Sequence, residues 1–205
     1  MRYILKRPDA ALLVAIGALI ALVVPVFAQQ ALNPTPEDHV LGKADAPITI
    51  IEYASLTCPH CAQFVNDTMP QVQKEWIETG RAKLVFRHFP LDRAALAGAQ
   101  LAECAGPDKF FAFLEVFFRQ QDTWTKGDPI GNLVRLAKLG GMPEDKATAC
   151  IADEKLANQI VAVRLQAEKE LGVNSTPTFF VNGKKIVGAE TYESFSKILE
   201  AAAKP

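Results

Sequence analysis

Cys58-Pro59-His60-Cys61 sets two thiols two residues apart, directly after the apolar run Ile48-Thr49-Ile50-Ile51-Glu52-Tyr53. A strand that delivers two cysteines to the first turn of a helix is a redox arrangement, because the spacing lets the pair close into a small disulfide ring without bending the helix. Cys58 then stands among unpaired backbone N–H groups at the positive end of the helix dipole, where a thiolate is favoured. The thiolate is the form that attacks disulfides, so Cys58 is the candidate nucleophile and Cys61 its resolving partner. Zinc fits the same pair poorly. Tetrahedral zinc takes four ligands, usually in two close pairs, and the other cysteines, Cys104 and Cys150, are lone residues with no second CxxC and no HxxxH in the chain. An inert structural disulfide would gain little loop-closure entropy from so small a ring. Neither a metal nor an organic cofactor is expected.

The elements that must hold this pair are legible as changes of period. Ile48 to Tyr53 suits a buried strand, and from Cys61 the residues Phe64, Met69, Val72 and Trp76 recur at helical spacing. Pro70 removes a backbone donor inside that helix and predicts a kink. Gly80 ends it, and Ala82 to Phe89 reads as a second strand parallel to the first, which completes a βαβ unit with the CxxC at its first turn. From Leu91 to Leu171 the pattern is helical. Asp128-Pro129 and Pro143 open helices there, and Gly172 closes a longer one carrying Leu156, Ile160, Val163, Ala167 and Leu171. Thr178 to Val181 and Lys184 to Val187 flank Asn182-Gly183, a hairpin signature, and Thr191 to Ala203 is a final helix. The fold class is therefore α/β, with an all-helical insertion over about 91–172 between the two halves of one sheet.

Within that frame several residues stand out. Glu52 sits in an apolar strand, where a carboxylate is costly unless it works or pairs; it could relay the proton of Cys61 or bind Lys74 or Lys83. Cys104 and Cys150 each fall on the apolar face of a helix in the insertion, and are read as a structural disulfide, two reduced core thiols or a second redox relay. Phe110, Phe111, Phe113, Phe117 and Phe118 are mostly core, with the option that some rings border the active-site face. His39, His88 and Trp124, the last in the loop 122–125, read as structural.

The compartment follows from the start of the chain. Arg2, Lys6 and Arg7 precede an apolar stretch from Ala10 to Val24, and Pro25-Val26-Phe27-Ala28 ends in residues that suit signal peptidase. Residues 1–28 are expected to be a signal peptide, with an uncleaved inner-membrane anchor as the alternative; 29–205 is one domain, with a loosely ordered lead-in from Gln29 to Ala46. Export places the thiols where disulfides persist. With 22 Lys+Arg against 23 Asp+Glu the formal charge is −1, which points to neither nucleic acid nor an anionic surface.

With these residues assembled, the chain resembles the DsbA family, thiol-disulfide oxidoreductases of the bacterial periplasm in which a helical domain interrupts a thioredoxin fold. The likeness runs from about His39 to the C-terminus. It is carried by Asp38-His39-Val40-Leu41-Gly42, by Glu52, by the CPHC itself, by Arg87-His88-Phe89-Pro90-Leu91 and by Ser175-Thr176-Pro177-Thr178-Phe179. The Pro59-His60 pair is similar to the oxidising members, not to the Gly-Pro of thioredoxin or the Gly-Tyr of the isomerase DsbC.

The resemblance implies that His60 stabilises the Cys58 thiolate by charge or hydrogen bond and that Glu52 is the buried acid beneath the disulfide. It also implies that Pro177 is cis, leaving the Thr176 backbone free to pair with an extended substrate. Thr176 stands where the best-known member has Val and matches DsbC. The implied activity is dithiol oxidation of unfolded or cysteine-containing secreted proteins in the periplasm, by a monomer served by a membrane redox partner of the DsbB or DsbD type. A reductase or isomerase of the same fold, and a non-catalytic binding module, are the alternatives; the stretch before His39 is too short for the dimerisation domain of a DsbC-type isomerase.

Overall fold

The computed structural model describes residues 32–204, so the signal-peptide expectation for 1–28 lies outside the described residues. A five-stranded mixed sheet in the order β1-β3-β2-β4-β5 forms the frame. Its strands are β1 (His39–Leu41), β2 (Ile48–Ala54), β3 (Ala82–His88), β4 (Thr178–Val181) and β5 (Lys184–Val187). β2 runs parallel to β3 with Ile48 opposite Ala82, and antiparallel to β4 with Glu52 opposite Phe179. The expected loosely ordered lead-in, 29–46, needs correction: His39–Leu41 pairs antiparallel with the outer edge of β3, with His39 opposite Phe86.

A helical run over 59–77, α1, follows β2. It contains two five-residue π-turns, Phe64–Thr68 and Gln73–Ile77. The first ends just before Pro70, so the backbone widens around the missing N–H and the irregularity is spread over a turn. The insertion then runs through α2 (Arg93–Cys104), α3 (Pro107–Arg119), α4 (Gln121–Trp124), α5 (Pro129–Leu139), α6 (Glu144–Ile151) and α7 (Glu154–Leu171). Trp124, expected in a loop, closes the single turn of α4, buried, with its indole N–H on the Phe117 carbonyl at 2.6 Å. α8 (Tyr192–Ala202) ends the described chain, and the Thr191 side chain caps it by accepting from the Ser194 N–H.

Strand alternation divides the core. Ile48 and Ile50 face α1 and α8, packing with Phe64, Trp76, Phe179 and Phe195. Ile51 and Tyr53 face the other way, toward Phe89, Phe180 and Ala167 of α7. A third cluster joins the insertion to the active-site turn: Leu56, Cys58, Cys61 and Ala62 pack with Phe86, Leu101, Phe110, Phe117, Phe118 and Leu133. The two thiols thus lie within the core of the helical insertion as well as at the end of the sheet.

Two covalent or ionic ties hold the insertion. Cys104 and Cys150 are joined by a disulfide spanning 46 residues, from the end of α2 to α6. Next to it, Glu103 meets the His39 ring at 2.8 Å and His88 at 3.3 Å, and the His39 ring stacks on Phe110 with centroids 3.6 Å apart. Both histidines are structural, fastening the sheet edge to α2. Four of the five expected rings of α3, Phe110, Phe113, Phe117 and Phe118, are fully in the core.

Candidate active site

Cys58 is the N-cap residue of α1, with an extended backbone (φ −81°, ψ 118°) and Pro59 at the first helical position, where its missing N–H costs nothing. Both active-site thiols are free. Cys61, one turn further on, is completely buried, whereas Cys58 keeps 6% of its surface open. That difference is one of access: a partner sulfur can reach Cys58 more readily than Cys61.

The cis Thr176–Pro177 bond lies against this turn. The Cys58 thiol donates to the Thr176 carbonyl at 3.2 Å. Pro177 is locked by its own carbonyl, which accepts from the Gly188 N–H at 2.9 Å, while the Thr178 hydroxyl donates to the Ser175 carbonyl at 2.7 Å. Among the described residues the buried Thr176 hydroxyl makes no hydrogen bond of ordinary geometry; it is a donor beside the Cys58 sulfur.

These surroundings push the two thiols apart in acidity. Cys58 is lowered to about 5, first by the hydrogen bond from the Cys61 thiol, against the cost of burial, then by Thr176 and by the backbone N–H groups of Cys61 and His60. Cys61 is pushed far above the ordinary thiol range, by burial first and then by its hydrogen bond to Cys58 and the nearby charges of Cys58 and Glu52. At neutral pH the arrangement therefore favours one thiolate, on the accessible sulfur. Pro59 and His60 are exposed. Among the described residues no hydrogen bond reaches the His60 ring, and its contribution to the Cys58 thiolate comes from its backbone N–H.

Glu52 lies behind the pair on the face of β2 that looks toward α1. Burial, and then the charge of Cys58, raise its carboxyl to about 8, and among the described residues its Oε1 has no hydrogen-bond partner. Neither expected lysine neutralises it: Lys83 donates instead to the Ala44 carbonyl at 2.6 Å, and no ion pair to Glu52 exists among the described residues. The carboxyl instead borders a cleft of about 410 Å³, walled by Val65, Met69, Phe86, Phe111 and Phe118, whose lining includes neither cysteine.

The turn that carries Cys58 is gripped from the insertion. Thr57 donates to Asp92 at 2.7 Å, and Asp92 also caps α2 by accepting from Ala95. Gln121, at the start of α4, donates from Nε2 to the carbonyls of Leu56 at 2.8 Å and Cys58 at 3.0 Å. The Leu56 side chain beds against α2 where Gly98 lacks a Cβ; a methyl group there would lie 2.7 Å from Leu56 Cδ1. Sequence reasoning passed over Gln121 and Asp92, because a polar residue that serves distant backbone carbonyls leaves no mark of spacing.

Comparison with known proteins gives consistent relatives. Proteins of Rickettsia bellii and Rickettsia prowazekii that carry a protein-disulfide oxidoreductase name are each 32% identical over 71% and 80% of this chain. The chain spans only 57% and 61% of their respective lengths. Disulfide bond formation protein D of Bacillus subtilis is 30% identical over 80% of this chain and 77% of its own. Among solved structures, Wolbachia pipientis alpha-DsbA1 superposes with a TM-score of 0.81 at 32% identity, covering 86% of this chain and 96% of that one. Bacillus subtilis BdbD gives 0.73 at 28% identity over 82% and 94%. Residues 34–201 match the family model described as Thioredoxin, and with the sheet and helical insertion described above this places the chain in the thioredoxin family, in its DsbA-type branch.

Proposed function

We propose that this chain is a protein dithiol–disulfide oxidoreductase that oxidises cysteine pairs in exported proteins through Cys58 and Cys61. The observation that carries the reading is the split between one accessible, acidic thiol and one buried, non-acidic thiol beside the cis peptide bond at Pro177. In the oxidised enzyme a substrate thiolate attacks Cys58 Sγ; the Cys58–Cys61 bond breaks, its electron pair goes to Cys61, and Glu52 supplies the proton. The substrate's second thiolate then attacks its own sulfur in the mixed disulfide and expels Cys58 as a thiolate. Two substrate thiols lose two electrons and the enzyme gains them. A sulfur whose thiol is as acidic as that of Cys58 leaves readily, which favours giving the disulfide away.

Thr176 supports the substrate-binding part of the reading, since the peptide before a cis-proline offers backbone groups to an extended chain. The same reading takes the chain to be periplasmic, acting on unfolded or cysteine-containing secreted proteins and serviced by a membrane redox partner of the DsbB type. Single substitutions test the roles. Cys58→Ser should abolish oxidation of a reduced, unfolded disulfide protein, whereas Cys61→Ser should accumulate mixed disulfides with it, visible on non-reducing gels. Equal trapping by both variants, or none by Cys61→Ser, would overturn the assignment.

A further inference from the structure

The active-site turn is held at three points by the helical insertion, and one of them lies on the reactive cysteine itself. Gln121 is buried, at 6% exposure, and directs both of its bonds from Nε2 to carbonyls that flank the turn, Leu56 O and Cys58 O. The Cys58 carbonyl already accepts from the N–H groups of Cys61 at 3.1 Å and Ala62 at 3.2 Å, the ordinary bonds of a helix start. A third donor there is not needed to satisfy the backbone. Its position has two consequences. Positive N–H ends converge on the residue whose sulfur takes up negative charge. The Leu56–Thr57 and Cys58–Pro59 peptide planes are also fixed, so the N–H groups of His60 and Cys61 stay aimed at the sulfur.

We propose that Gln121 is a positioning residue for the exchange reaction, the element through which the helical insertion tunes Cys58. The inference rests on the oxidoreductase reading above and deepens it, giving the insertion a part in the chemistry in addition to covering the sheet. Thr57 and Asp92 hold the same turn from the other side, but their bond ends on a side chain one residue earlier and does not touch the Cys58 peptide.

The test compares the reduced wild-type protein with Gln121→Leu and Gln121→Glu. Gln121→Leu removes both donors; Gln121→Glu keeps the shape and turns acceptor oxygens toward the two carbonyls. The rate of Cys58 alkylation by iodoacetamide is followed against pH, and the Cys58–Cys61 potential is read by equilibration with glutathione. The midpoint of alkylation should rise by about one pH unit in either variant, and that tenfold change corresponds to a potential about 30 mV lower. A folded variant with the wild-type midpoint and potential would overturn the role of Gln121, leaving it a structural hydrogen bond. If Gln121→Leu does not fold, Gln121→Glu decides by the same readings. A wild-type midpoint at the ordinary thiol value would instead overturn the reading of Cys58, so the two failures are distinguishable.

Discussion

At pH 7 the Glu52 carboxyl keeps a proton that the unfolded chain has lost, because burial first, and then the Cys58 charge, lift it from 4.5 to about 8. Below pH 4.5 both states are protonated and Glu52 costs nothing on this count. As the pH rises above 4.5 ionisation favours the unfolded chain, and the penalty grows until the folded group itself ionises near 8. Glu52→Gln should therefore stabilise the reduced protein at pH 7 by up to roughly 3 kcal/mol, with the gain gone at pH 4, as urea unfolding at the two pH values would show. The same variant should slow single-turnover oxidation of a dithiol peptide by on the order of a hundredfold, the loss of a general acid–base group. Gain in stability without loss of rate would remove Glu52 from proton transfer. Cys58, Cys61 and Glu52 were legible in the sequence as residues of one site because each breaks a local pattern: two thiols at a strand–helix junction, one acid in an apolar strand. Among the described residues no hydrogen bond reaches the His60 ring; position 60 acts on Cys58 through a backbone N–H that any residue but proline would supply.

The elements joining sheet and insertion were less legible. β2, β3, the β4–β5 hairpin and α8 follow apolar periods and turn residues closely, and their bounds agree with the sequence reading to within a residue or so. β1 escaped because His39-Val40-Leu41 is too short to show alternation, and its middle residue points outward with 37% of its surface exposed. The Cys104–Cys150 pairing depended on how α2 and α6 dock, which no spacing reports. Closing its 46-residue span should contribute roughly 4 kcal/mol on the chain-entropy account. Cys104→Ala with Cys150→Ala should lower stability by up to that amount in urea unfolding, measured with Cys58–Cys61 held reduced in both proteins. Beside it, burial pushes the Glu103 carboxyl up, but hydrogen bonds from His39 and His88 and their charges outweigh that and hold it near 2. Its contribution is present above the ordinary 4.5 and is lost as pH falls toward 2. Glu103→Gln should thus destabilise the protein at pH 7, by up to roughly 3 kcal/mol, and converge with the wild type near pH 2.

For the whole molecule, the pieces converge on one thermodynamic statement. The sheet brings Thr176 to Cys58, α1 supplies N–H groups from its first turn, and the insertion buries Cys61 and grips the turn through Gln121 and Asp92. The hydrogen bond from the Cys61 thiol, then Thr176 and the first-turn N–H groups, favour a thiolate on Cys58 against the cost of burial; that species exists only when the pair is reduced, so folding should stabilise the reduced form over the oxidised one. Because that group's value is depressed from 9 to about 5, the advantage is complete above pH 9, still present at pH 7, and lost as pH falls through 5. The most direct measurement is the reduction potential of Cys58–Cys61 at pH 7, obtained by equilibrating the protein with glutathione and paired with unfolding of both redox forms. The account predicts a potential above the thioredoxin value of about −270 mV and a reduced protein more stable than the oxidised one. A potential at or below that value, with the oxidised protein the more stable, would contradict it and make the chain a reductant.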